Sequence, residues 1–224
     1  MARSIILLTS ALALTALTSA RAAEDDLNAW AAATASIDIG KKGVLWLEAQ
    51  TRFTDDASRL GQLLLRPAIG YKVDGVTTVF LGYAYVRTDP VGLGLSKEHR
   101  VFQQVSFRLV GDENGVTLTG RTRLEQRFRE DMDGTGVRFR QQLRLTAPIE
   151  GKARAVVWTE PFIGLNFTAW GQEWGVNVWR NFFGVSLPVG AGLALEPGYL
   201  NQYFVRNGRD RVDHIASVTL NTKF

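Results

Sequence analysis

The chain has 224 residues, of which 26 are lysine or arginine and 22 are aspartate or glutamate, and it contains no cysteine. Without cysteine, thiol nucleophiles and cysteine-ligated metal sites are excluded. The formal net charge of +4 is small, and the basic residues do not cluster on one element away from acids, which argues against a nucleic-acid-binding protein.

The N-terminal segment has the pattern of a secretory signal peptide. Arg3 supplies a short positive region, Ile5–Leu17 form an apolar run, and Ala20–Ala22 supply an A-x-A cleavage site. The apolar run is too short for a transmembrane helix and is interrupted by serine and threonine. We therefore predict a cleaved signal peptide at residues 1–22 and a single exported domain at residues 23–224.

From Asn28 onward, apolar and polar residues alternate with a period of two, which is typical of β-strands. The contrast is sharpest in Thr117–Arg129, where arginines share one face. At helical spacing these charges would be scattered around the axis and leave no apolar stripe. Eleven segments show the alternation: Trp30–Ile39, Val44–Phe53, Gln62–Lys72, Thr77–Arg87, Glu98–Val110, Thr117–Arg129, Val137–Ala147, Arg154–Asn166, Val178–Leu187, Leu193–Phe204 and Val212–Phe224. Their lengths suit tilted strands that cross a bilayer, which need about 9–11 residues.

Short turns alternate with longer connections along the chain. The short turns all contain glycine: Lys41–Gly43, Asp74–Gly75, Asp112–Gly115, Glu150–Lys152 and Val189–Gly190. The longer polar connections are residues 54–59, 88–97, 130–136, 168–174 and 206–211. This asymmetry is typical of an outer-membrane barrel, which has short periplasmic turns and longer external loops.

The strand count conflicts with one general expectation for such barrels. A bacterial barrel with both termini in the periplasm has an even number of strands. If Trp30–Ile39 is not a wall strand, about ten strands remain, and if two elements have been merged, there are about twelve. Both possibilities stay open at this point.

Three features favour a membrane barrel over a soluble β-sandwich or a lipocalin-like barrel. The last strand alternates up to Phe224, and a terminal aromatic residue resembles the signal by which the barrel-assembly machinery recognises outer-membrane clients. Aromatic residues cluster toward the expected external rim, as membrane-interface girdles do. They are Phe53, Tyr83, Tyr85, Phe128, Trp170, Trp174, Trp179 and Tyr203. Third, many of the 20 arginines lie in mid-strand, alternating with apolar neighbours.

The arginine-rich faces predict a polar interior, where charges must pair because little water is available. The natural partners are glutamates, since arginine binds carboxylates in a fixed bidentate geometry; they are Glu48, Glu98, Glu125, Glu160 and Glu196. The candidate lumen-lining residues are Glu48, Arg66, Arg100, Arg108, Arg121, Arg123, Glu125, Arg127, Arg138, Arg140, Arg144, Glu160 and Glu196. One interpretation is a narrow channel that favours anions such as phosphate, acidic sugars or organic acids. The alternative is a non-conducting structural barrel whose interior is plugged by an Arg–Glu network.

The run from Arg121 to Arg127, the pair Arg138-x-Arg140, and Glu160 occur together with two Gly-Tyr pairs, Gly82-Tyr83 and Gly198-Tyr199. In these motifs the chain resembles the bacterial domain-of-unknown-function 2490 family of predicted outer-membrane barrels. The resemblance covers nearly the whole exported chain. It implies a barrel and no known substrate or catalytic residues.

A barrel-embedded lipid hydrolase is the less favoured alternative. Such an enzyme needs a nucleophile, a base and an orienting group in contact. The two histidines, His99 and His214, have no serine at suitable spacing on their own strand faces. Asp131 and Asp133 start a calcium-loop-like pattern, but its downstream glutamate is missing. We therefore predict no enzymatic activity, no metal and no cofactor.

Taken together, these patterns predict an all-β fold, an antiparallel transmembrane β-barrel of about 10–12 strands with meander topology. We expect a monomer in the outer membrane of a Gram-negative cell, reached through the periplasm. The expected partners are outer-membrane lipid and lipopolysaccharide, the barrel-assembly machinery and small anionic solutes, with no role for nucleic acid.

Overall fold

The computed structural model describes residues 24–112 and 114–224, and β-strands are the regular structure of this part of the chain. The predicted signal peptide at residues 1–22 lies outside the described residues. The strands are β1 (Glu24–Ile39), β2 (Gly43–Thr54), β3 (Arg59–Lys72), β4 (Thr77–Thr88), β5 (Ser96–Val110), β6 (Thr117–Arg129), β7 (Met132–Pro148), β8 (Arg154–Gly164), β9 (Gly175–Gly190), β10 (Leu193–Phe204) and β11 (Arg211–Lys223). Within the two described stretches, no helix is long and apolar enough to span a membrane.

The strands form one closed barrel in which each of β2–β10 lies between its neighbours in the sequence, and β1 lies beside β11. Every pair of strands that are consecutive in the sequence is antiparallel. This confirms the prediction of an all-β meander barrel. Because successive side chains of a strand point to opposite faces, the alternation sorts them between interior and exterior. On β6, Arg123 and Glu125 are each 1% exposed inside the barrel, and Leu124 between them faces outward.

The barrel closes through a parallel pairing of β1 with β11, from Glu24 opposite Arg211 to Ser36 opposite Lys223. The expectation of an even strand count was therefore wrong, because a parallel pairing allows an odd number of strands to close. Trp30–Ile39 belongs to β1 and pairs on both sides, so it is a full wall strand.

Contacts at both ends of the barrel fasten this seam between β1 and β11. Asp26 of β1 forms an ion pair of 2.6 Å with Arg211 of β11. At the opposite end, the Phe224 amide donates to the Ser36 carbonyl (2.9 Å), and the Asp38 amide donates to the Phe224 carbonyl (3.1 Å). Since β1 and β11 run in the same direction, their N-terminal ends lie at one end of the barrel and Phe224 lies at the other.

The connections divide between two ends of the barrel. We call the end that carries the connections after β2, β4, β6, β8 and β10 the loop end, and the opposite end the turn end. The longest connection at the loop end is residues 165–174. The segment 130–136 was wrongly predicted as a loop, because β7 already begins at Met132, which pairs with Arg129.

An apolar cluster fills the side of the interior formed by β8–β11 and β1. It consists of Trp30, Val156, Phe182, Leu200 and Ile215, each at most 5% exposed. Phe182 stacks on Trp158, with ring centroids 5.3 Å apart and planes 10° apart. Glycine creates the space for this ring, since a Cβ atom at Gly198 would lie 2.3 Å from its Cζ atom. One side of the barrel is thus packed like an ordinary protein core.

Candidate functional site

The residues predicted to line the lumen all lie on the inner face of their strands. They are Glu48, Arg66, Arg100, Arg108, Arg121, Arg123, Glu125, Arg127, Arg138, Arg140, Arg144, Glu160 and Glu196. They alternate along the strands with outward-facing side chains. Most of them lie on β2–β7 and form the polar side of the interior, whereas Glu160 and Glu196 lie on β8 and β10 beside the apolar cluster.

Two buried glutamates on this side each bind several arginines. Glu125 accepts hydrogen bonds from Nε of Arg138 and Nη1 of Arg140, both at 2.9 Å. Glu160 accepts from Nη2 of Arg140 (2.8 Å) and Nη2 of Arg121 (2.9 Å). Arg140 therefore links both carboxylates, and charge-assisted bonds of this kind are the strong ones in proteins.

Further ion pairs continue the network toward both ends. Glu98 accepts from Nε of Arg100 (2.8 Å) and also binds Arg127. Glu196 accepts from Nη1 of Arg144 at 2.9 Å. Glu48 pairs with Arg66. Arg108, near the turn end, has no carboxylate within 4.0 Å among the described residues.

Packed side chains close the interior from all sides. Every strand contributes at least one inward side chain that is at most 5% exposed. In strand order these are Trp30, Val44, Leu64, Val86, Phe102, Arg123, Arg140, Val156, Phe182, Leu200 and Ile215. A pore wide enough for water would leave the atoms along its wall accessible to water. The near-zero exposure of these side chains therefore describes a filled interior.

A cavity of about 1090 Å³, which we call the vestibule, opens at the loop end. Ten arginines and six carboxylates are among its lining residues, so its wall carries an excess of positive charge. Trp170 also lines it, and the Arg127 Cζ atom lies 4.9 Å from its ring centroid. The placement of Trp170 in the aromatic girdle was therefore wrong, because the 165–174 connection folds this ring inward.

The sequence reasoning missed two arginines of this site, Arg52 and Arg180, which face the vestibule. Glu98, expected only as a partner for arginines, binds two of them. Arg52 shares its strand face with Glu48, which was an available signal. Arg180 lies between Val178 and Phe182 on a mostly apolar face, so the alternation alone did not mark it.

Both histidines face outward and bind tyrosines. The hydroxyl of Tyr83 lies 2.5 Å from Nδ1 of His99, and that of Tyr199 lies 2.6 Å from Nδ1 of His214. The other ring nitrogen of His99 is 2.9 Å from Glu130. The hydroxyl group that contacts each imidazole therefore belongs to a tyrosine rather than to a serine. Each of these contacts holds a tyrosine side chain on the outer surface of the barrel. Among the described residues, no group of three or more histidines, aspartates and glutamates is placed to hold a metal ion.

Comparison with known proteins identifies the relatives of this barrel. A family model described as a protein of unknown function, DUF2490, matches residues 27–213. The chain belongs to the DUF2490 family. An uncharacterized protein of Methylorubrum extorquens is 37% identical over 181 residues, covering 79% of each chain. An anion-selective porin from Comamonas acidovorans matches 78% of this chain with 12% identity and a TM-score of 0.39, and the match spans 55% of that porin.

The glycines of the two Gly-Tyr pairs that carried the resemblance to DUF2490 have the same structural role. A Cβ atom on Gly82 would lie 2.1 Å from the Phe102 ring, and one on Gly198 would lie 2.3 Å from the Phe182 ring. Each glycine therefore leaves room inside for an aromatic ring. These two rings are among the side chains that close the interior.

Proposed function

We propose that this DUF2490 protein is an outer-membrane barrel that does not conduct ions, with its vestibule open to the cell exterior. The observation that carries the proposal is the filled interior, to which all eleven strands contribute a side chain at most 5% exposed. Ion pairs such as those of Glu125 hold the packed side chains on the polar side of the interior in place. Opening a path would require breaking several of them at once.

The outer surface supports a membrane location. Large apolar side chains such as Ile69, Leu81 and Phe183 face outward and are 70%, 61% and 55% exposed. Burying such apolar surface in lipid stabilises the inserted barrel by about 25 cal/mol per Å² removed from water. The ring of Phe224 is 74% exposed and is available as an assembly signal for the barrel-assembly machinery.

The loop end carries groups suited to lipopolysaccharide. Arg87 and Lys97 lie opposite each other on the outward face of β4 and β5. Lys97 also forms an ion pair with Glu130 at 3.2 Å. The two cations suit the phosphates of lipopolysaccharide, and the outward-facing tyrosines beside them suit the membrane interface of the outer leaflet. We therefore place the loop end at the cell exterior.

An anion-favouring channel is the second candidate function, and the charge of the vestibule favours it. Its ten arginines outnumber its six carboxylates and would attract anions to the mouth of the barrel. Conduction would then require a second state in which the closing side chains move apart.

Planar-bilayer recording separates these two functions. We expect refolded protein, shown to be folded by heat-modifiable electrophoretic mobility, to give no unitary conductance, with a known porin as the positive control for insertion. Reproducible steps whose reversal potential in a KCl gradient indicates anion preference would contradict the closed barrel and establish the channel.

Cysteine labelling in whole cells tests the membrane location and the orientation, and the natural chain has no cysteine to interfere. Leu93 at the loop end is 73% exposed, and a side chain at Gly75, at the turn end, would meet no atom within 4 Å. We expect Leu93→Cys to react with a membrane-impermeant maleimide on intact cells, and Gly75→Cys to react only after the outer membrane is permeabilised. Equal labelling of both variants on intact cells would contradict the placement.

A further inference from the structure

Two arginines at the vestibule lie over the same indole ring. Arg52 of β2 and Arg180 of β9 approach the ring of Trp30, with Cζ-to-centroid distances of 3.8 and 4.9 Å. Arg180 also lies 4.6 Å from the ring centroid of Phe162. All four residues line the vestibule. The aromatic contacts thus hold two like charges close together beside an open cavity.

The hydrogen-bond partners of these two guanidinium groups are neutral. Arg52 donates from Nε and Nη2 to Oε1 of Gln50 (2.9 and 2.6 Å) and from Nη1 to Oε1 of Gln62 (2.7 Å). Arg180 donates from Nε to Oε1 of Gln202 at 2.6 Å. In the part of the chain that the structure describes, neither arginine has a carboxylate within 4.0 Å. Amide oxygens satisfy the donors but do not offset the charge.

Most other arginines of the vestibule are compensated. Those with a carboxylate oxygen within 4.0 Å are Arg66, Arg100, Arg127, Arg129, Arg138, Arg140 and Arg211. Arg52 and Arg180 repel each other, and the carboxylates that attract them, Glu48 and Glu160, lie beyond ion-pair distance. An anion that reaches the two guanidinium groups therefore stabilises them. The vestibule offers that anion a path from the loop end.

We propose that Arg52, Arg180 and Trp30 form a binding site for the carboxylate or phosphate group of a small acidic solute. A guanidinium fork matches the oxygens of such groups, and the Nη nitrogens of Arg180 make no hydrogen bond to other described residues. The indole ring holds both cations in place before the ligand arrives, which lowers the entropic cost of binding. The cavity of about 1090 Å³ is large enough for a metabolite-sized molecule.

This site does not depend on whether the barrel conducts. The vestibule would bind the solute from the loop end even when the interior below it is closed. Binding is measured without a membrane potential, and conductance is measured without a bound ligand. A failure of one proposal therefore leaves the other intact.

Isothermal titration of the refolded protein in detergent, with inorganic phosphate and with succinate as probes, tests the site. We expect saturable binding of at least one probe. Arg52→Gln and Arg180→Gln should each weaken it about tenfold or more, the loss typical of a charge-assisted hydrogen bond. Gln62→Glu, which supplies an internal carboxylate to Arg52, should weaken binding without removing an arginine.

Arg129→Gln is the matched control, because it removes one positive charge from the same vestibule but from an arginine already paired with Asp131 at 2.5 Å. We expect this variant to bind like the wild type. Adding excess lipopolysaccharide should not compete, because a lipid headgroup held at the outer surface does not enter the lumen. Equal loss in Arg129→Gln, competition by lipopolysaccharide, or no binding of either probe at millimolar concentration would each overturn the proposal. If an arginine variant does not fold, the binding of the probes to the Gln62→Glu variant tests the proposal instead.

Discussion

Replacing Glu125 by glutamine is expected to lower the free energy of unfolding by about 3–5 kcal/mol, which is typical for breaking a buried ion pair. Glu125 is 1% exposed and accepts hydrogen bonds from Arg138 and Arg140, with Arg123 at 3.6 Å. Glutamine has nearly the same volume but no charge, so the three guanidinium groups would remain buried without this counter-ion. The effect is therefore electrostatic rather than one of packing.

Urea-induced unfolding from lipid vesicles, followed by tryptophan fluorescence, measures this change. Glu130→Gln is the control, because Glu130 binds His99 and Lys97 at the exposed loop end. The hydrogen bond from His99 lowers the pKa of Glu130, but solvent screens this site, and we expect no measurable loss of stability. Glu125→Gln combined with Arg138→Gln should recover part of the lost stability. Equal stabilities of the wild type and the Glu125 variant would contradict the network.

Replacing Phe182 by alanine should also cost about 3–5 kcal/mol, as large-to-small changes in a packed core do. Its ring is 3% exposed, stacks on Trp158 and lies against Gly184 and Gly198. Glycine has no side chain that could move into the space left by the ring. The variant would therefore keep a cavity between β8, β9 and β10.

The neighbouring residue provides the matched control. Phe183 has the same side chain, but it faces outward and is 55% exposed. We expect Phe183→Ala to lose clearly less stability than Phe182→Ala in the same vesicle assay, because lipid can fill the space that its ring leaves. A larger effect at Phe183 would mean that the two faces of β9 are assigned the wrong way round.

The fold was largely predictable because the barrel separates two environments across every strand. The alternation in β6, with arginines on one face and apolar residues on the other, reports this separation directly. It also places Glu125 and Arg123 together on one face before any contact is known. The partners across the barrel are different: that Arg144 binds Glu196 depends on strand order and register, which alternation does not contain.

The strand count and the vestibule could not be predicted by the same means. Alternation locates strands but does not say whether β1 pairs with β11 in parallel, so a rule for even-stranded barrels misjudged Trp30–Ile39. The inward position of Trp170 depends on how a ten-residue connection folds, which has no period. The alternation did not indicate Arg180, because this arginine shares one face of β9 with Phe182 of the apolar cluster.

The parallel seam also constrains the order in which the barrel can fold. The Thr34 hydroxyl of β1 donates to Asn221 of β11 across 187 residues of sequence, the two being 2.8 Å apart. Contacts of such separation form late, because the entropy of the intervening chain opposes them until the other pairings have brought the ends together. Until then both edge strands present unpaired backbone groups that can join another chain. Completion of the last strand, up to Phe224, therefore ends the period in which nascent barrels are exposed to aggregation.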